Sequence, residues 1–165
     1  MMDFLKQLET WAKGDALQGK IMFGIGLILL IDVIFMLQTD SIFFNGMLIP
    51  VSLLTVINIV YGGFLAFSRP KHWLTATENY KQNPAETLKK EWTKAKTDNR
   101  NYTMGKMVWL ILAPICFASF FFLTDDYYKG LAIGLAILFI GIFLLDIFLH
   151  RRLKPYFNIL QQLIK

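Results

Sequence analysis

Chemistry in this chain would have to come from the few polar side chains set in long apolar stretches. Asp32 lies twelve residues past Lys20 and Asn58 eleven residues before Arg69. At a helical rise of ~1.5 Å per residue, these offsets put them about 18 and 16 Å from one membrane face, at nearly equal depth on consecutive spans. A carboxylate there belongs in the bundle interior with a partner, and Asn58 is the best-placed donor. Thr55 and Tyr61 sit about one turn either side of Asn58 and extend the pair into a polar seam. Such a seam binds a proton or a cation. The plainer reading, which is preferred, is an interhelical hydrogen bond that fixes packing, worth about 1 kcal/mol.

A second pair is local. His150 follows Asp146 at i+4 near a helix end, the spacing of an interfacial ion pair on one helical face. No serine or cysteine nucleophile stands beside it in sequence, so a helix-end charge arrangement is preferred to a catalytic dyad. Just outside the apolar stretches, Arg69, Lys71, Arg151, Arg152 and Lys154 are placed to meet anionic lipid headgroups.

Much chemistry is excluded. The one cysteine, Cys116, cannot form an intramolecular disulfide or a metal framework. The two histidines, His72 and His150, both fall at the edge of the apolar stretches, which leaves a bis-histidine haem inside the bundle unsupported. There is no zinc-protease, nucleophile-elbow or phosphate-loop motif. No catalytic residue, metal or cofactor is therefore expected. The net charge of +5 comes without any nucleic-acid-binding motif and is read as a lipid-facing excess.

The elements that must carry these residues are four apolar blocks. Of 165 residues, 55% are hydrophobic and only 18% charged, well below the roughly one quarter charged in soluble domains. The expected spans are 20–38, 46–67, 107–123 and 130–149, each long enough to cross a bilayer as a helix. They are continuously apolar rather than alternating, which rules out a β-barrel. The fold class is an all-α integral membrane protein, a four-transmembrane-helix bundle built as two sequential hairpins in one domain. Acidic residues precede the first span and no small-residue cleavage site follows it, so that span is expected to be a retained anchor.

Of seventeen Lys and Arg, only Lys129 lies in the two short loops after spans 1 and 3, while nine lie in the loop 68–106. The positive-inside bias puts that loop and both termini in the cytoplasm of an inner (plasma) membrane protein. Short amphipathic helices are expected in 1–19, 68–106 and 150–165. Asn83-Pro84-Ala85-Glu86 supplies an N-cap, a proline at the first helical position and a capping-box glutamate. The apolar stripes of these helices either lie in the membrane interface or pack on one another as a cap.

The spacing also fits one hairpin written twice. Gly19-Lys20, Thr39, Gly46 and Arg69 are separated by 20, 7 and 23 residues; Gly105-Lys106, Thr124, Gly130 and Arg152 by 19, 6 and 22. Two unrelated hairpins capped by glycine, lysine and aspartate would align as well. Gly130 and Gly134 have the GxxxG spacing of close helix contact. The expected role is a small non-enzymatic inner-membrane protein, structural or regulatory. It would pack with itself or with an unidentified membrane protein. The competing reading is an oligomeric proton or cation channel using Asp32 and Asn58.

Overall fold

The computed structural model describes residues 2–164 as four long helices joined by short turns. Helix α1 is Met2–Gln38. Helix α2 starts as Ile42–Val56, passes through a π-helical turn at Ile57–Tyr61 and continues as Gly62–Gln82. Helix α3 is Pro84–Ser119 and α4 is Asp126–Ile164. All four are long and apolar enough to cross a membrane, and no strand occurs among the described residues. This is the all-α four-helix architecture of a multi-pass membrane protein.

The helices are longer than the spans inside them. With 36 residues or more in each and a rise of ~1.5 Å, they run to about 54 Å or beyond, against about 30 Å of hydrocarbon. The amphipathic segments are therefore not short separate helices lying in the interface. Each continues its span outward, and the four extensions pack into a small bundle of their own. Its core holds Phe4, Leu8 and Trp11 of α1, Ala76 and Tyr80 of α2, Ala95 of α3, and Leu153, Tyr156 and Leu160 of α4. An apolar stripe buried against three others no longer needs lipid.

Asn83 alone joins α2 to α3. Its side chain accepts from the Glu86 backbone N–H at 3.2 Å and donates to Glu86 Oε2 at 2.9 Å. The first bond is the N-cap expected from Asn83-Pro84-Ala85-Glu86 and satisfies one orphan donor at the start of α3. The Glu86 carboxylate, however, takes the Asn83 side-chain amide in place of the capping-box backbone N–H, which donates to the Asn79 carbonyl at 2.8 Å.

The central contact is between the parallel helices α2 and α4. Helix α1 packs on α2, α3 packs on α4, and the backbones of α1 and α3 stay apart. Glycines set the closest approach. A Cβ on Gly46 would run into the Tyr127 carbonyl, and one on Gly130 into the Phe43 carbonyl. These contacts are reciprocal, because Gly130 and Tyr127 follow Gly46 and Phe43 by the same offset. One turn on, Gly134 meets Pro50, its own counterpart under that offset. These α2–α4 contacts are compatible with the repeated spacing of the two hairpins. The π turn takes up one extra residue, which accounts for Gly46 to Arg69 being one longer than Gly130 to Arg152.

Candidate functional site

The most polar interior of the protein lies where the extensions leave the spans. Asp15, Arg69, Glu91 and Tyr156 are all buried there, one from each helix. The sequence pattern dictates this. Asp15 prolongs the stripe Phe4, Leu8, Trp11 at helical spacing, and Glu91 falls between Leu88 and Ala95 on the inner face of α3. A carboxylate on a stripe that packs has nowhere else to go.

Two linked groups result. Glu91 Oε2 accepts from the Tyr156 hydroxyl at 2.9 Å and lies 3.1 Å from His72 Nε2. Burial pushes the Glu91 carboxyl up, but the bonds from His72 and Tyr156, with Lys94 nearby, outweigh it and leave it below its ordinary value. Burial, and then the Glu91 charge, push the Tyr156 hydroxyl up. Tyr156 stacks on Trp11 with centroids 4.8 Å apart, and the Arg69 guanidinium sits over the same indole at 4.4 Å.

The second group is Asp15 with Arg69, Oδ2 to Nε 3.1 Å. The pair is close but poorly aligned: among the described residues, Nε makes no hydrogen bond and Asp15 Oδ1 has no partner. Burial therefore prevails over the attraction of Arg69 and Arg152 and pushes the Asp15 carboxyl up to about 6. Arg152 reaches across from α4 to the Gly14 carbonyl, with Gln18 Oε1 3.5 Å from its other nitrogen.

The intramembrane seam expected from sequence is not assembled. Asp32 is exposed on the flank of α1 without a hydrogen-bond or ion-pair partner among the described residues. Asn58 is buried, but its amide donates to the Leu54 carbonyl at 2.9 Å, and its Cβ faces Gly26. Thr55 donates to the Val51 carbonyl of its own helix, and Tyr61 packs near Tyr102. The difference arises at Arg69. This residue lies beside Asp15, more than a turn outside Lys20, so Asn58 comes level with Gly26 and Asp32 lies well beyond it.

The other pairings change too. Asp146 and His150 do not meet. Asp146 Oδ2 accepts from Trp109 Nε1 at 2.9 Å, and His150 is held between Lys106 and Asn99. The Lys106 ammonium can only donate, so His150 Nδ1 accepts it at 2.6 Å and Nε2–H donates to Asn99 Oδ1 at 2.8 Å. Burial, with Lys106 and Lys154 nearby, lowers the His150 pKa accordingly. Among the five residues expected at lipid headgroups, Arg69 and Arg152 are engaged inside the bundle instead. Lys71, Arg151 and Lys154 are exposed.

A cleft of about 450 Å³ opens between α2 and α3 above the His72–Glu91 pair, bordered by Asn79, Lys90 and Lys94. Among the described residues, no three His, Cys, Asp or Glu side chains come together as metal ligands. No family model, no curated protein and no solved structure matches the chain.

Proposed function

We propose that the protein is a non-enzymatic inner-membrane subunit, structural or regulatory, which meets another membrane helix along the outer face of α1. The termini and the Asn83 turn would lie in the cytoplasm, as the lysine and arginine distribution suggests. One observation carries the reading: Asp32 stands exposed within an apolar span of α1, with no hydrogen-bond or ion-pair partner among the described residues. A carboxylate facing lipid at such depth costs a few kcal/mol, and a donor or cation from a neighbouring helix removes that cost. Gly24, exposed on α1 about two turns before Asp32, has nothing within 4 Å of the point where a Cβ would stand, and it admits a close neighbour.

The channel reading needs Asp32 and Asn58 in one site, and in the folded chain each is turned away from the other. The test is Asp32→Leu in the full chain, extracted in mild detergent. Under the proposal, the variant keeps its helical circular dichroism but loses its higher-order complex or copurifying membrane partner. An unchanged complex, or proton or cation flux in proteoliposomes that Asp32→Asn abolishes, would count against the subunit role.

A further inference from the structure

The exposed side of α1 carries both a shape and a charge, and together they narrow the choice of partner. Ile21, Ile25, Ile28, Asp32 and Phe35 are all exposed and follow one another at intervals of four, three, four and three residues. That alternation is the seam along which two helices pack at a shallow crossing angle. Met22, Gly26 and Val33, each one residue further along, belong to the seam of α1 that is already buried against α2. Asp32 is the single polar side chain of the exposed seam. In lipid an apolar seam gains nothing by leaving water, so Asp32 has to supply the attraction and the isoleucines the fit.

A second copy of this chain does not bring the missing charge. No Lys, Arg or His occurs in the apolar stretches 21–38, 46–67, 107–123 and 130–149. Lys129, the basic residue nearest in depth, stands outside the spans and is paired with Asp126 at 3.6 Å. We propose, on the basis of the subunit reading above, that the partner is a different membrane protein whose helix carries a lysine or arginine within its span, seated on this seam opposite Asp32. Opposite charges inside a membrane pair with one another, and each lowers the other's cost of leaving water. A charge-assisted hydrogen bond is also about twice as strong as a neutral one, which favours a cation over an amide or hydroxyl donor. Asp32 lies six residues before the end of α1 at Gln38, so at ~1.5 Å per residue the partner's cation stands about 9 Å inside that end.

Synthetic leucine-rich spanning peptides of ~20 residues, reconstituted with the full chain in phosphatidylcholine vesicles at neutral pH, test it. One peptide carries a single lysine at the depth of Asp32, and its control carries leucine there. Energy transfer from the chain to the lysine peptide should saturate at about tenfold lower peptide density than with the control, a gap of ~1.4 kcal/mol. The preference should vanish in Asp32→Leu, and Asp32→Lys should instead prefer a peptide bearing aspartate at that depth. Ile28→Trp, which fills the seam, should weaken association, whereas Leu144→Trp on the exposed side of α4 should not. Ile28, Asp32 and Leu144 are all exposed, and unchanged circular dichroism of the variants shows that they fold. Equal association of the lysine and leucine peptides overturns the proposal, as does a preference that survives Asp32→Leu. A complex made only of copies of this chain that Asp32→Leu dissolves would also overturn it while leaving the subunit reading in place. A complex indifferent to Asp32→Leu would remove that reading as well.

Discussion

Asp15 is the side chain whose environment fits it least well. It is buried at 1% exposure beside an arginine that does not align with it, and one of its oxygens has no partner among the described residues. A carboxyl moved from its ordinary 3.8 to about 6 represents a difference on the order of 3 kcal/mol between its protonation states. Because the folded value is raised, the unfolded chain binds fewer protons between those two values. Stability therefore rises as pH falls through 6 and levels off near 3.8. His150, with its lowered value, opposes this as pH falls past the ordinary histidine range. The clean readout is thus the difference between the parent and Asp15→Asn. From pH 7.5 to 5, the parent's melting temperature should rise by several degrees relative to the variant's. Parallel profiles would mean that Asp15 is not buried as described. Tyr156→Phe probes the neighbouring group. It removes the hydroxyl that bonds the ionised Glu91 and should cost about 1–3 kcal/mol in chemical unfolding. In Glu91→Gln the same change should cost clearly less, since the two act on one bond.

At the scale of the element, the glycines of the α2–α4 contact and the outward glycine of α1 make opposite predictions from the same substitution. Gly46→Ala and Gly130→Ala push a methyl into a backbone carbonyl of the facing helix, which only a shift of the whole helix can relieve. Each should lower stability by about 3 kcal/mol or more, at or above the upper end of ordinary overpacking. Gly24→Ala meets nothing and should leave stability unchanged or raise it by up to ~1 kcal/mol through helix propensity. Thermal unfolding in detergent orders the three variants, and equal effects would refute the packing.

Much at this scale was legible in the sequence. The four spans, the Asn83–Glu86 cap and the matched glycines all follow from patterns that local physics enforces. The depth of Asn58 was not, because measuring it from Arg69 assumes that basic residues mark one common plane. Arg69 has instead been drawn outward, to Asp15 and the Trp11 ring. Nor were the partners of Asp146 and His150 legible. Helical spacing brings the two onto one face, but the groups that took them, Trp109, Lys106 and Asn99, come from α3, and sequence distance carries no information about that. Asp15 and Glu91 could have been found. Each continues an apolar stripe, and a charge at such a position signals burial if the stripe packs against protein rather than lying in the interface.

For the whole molecule, the consequence is a lopsided object: all four rods pack on one another at their basic ends, whereas across the spans α2 and α4 meet closely and α3 stays thinly packed. Only Ala113 is buried in the span of α3, whereas Tyr156, Phe4, Leu8, Leu153 and Leu160 are all nearly inaccessible in the extension bundle. This is the distribution expected when the hydrocarbon covers the spans and water must be kept from the extensions, since apolar burial drives association only where water is the alternative. Four rods joined in this way also fix which parts share a side. The Asn83 turn and both ends of the chain belong together, opposite Ser41 and Lys129. In a background with Cys116→Ala, single cysteines at Ser41 and Lys129 should react with a membrane-impermeant maleimide added to intact cells. Cysteines at Lys81 and Lys90 should react only after the membrane is opened, because their lysine-rich surroundings place them on the proposed cytoplasmic side. Labelling of Lys81 and Lys90 positions in intact cells would invert the molecule without disturbing its packing. Labelling of all four positions would break the four-span reading itself, since no rod in the bundle could then separate the two groups.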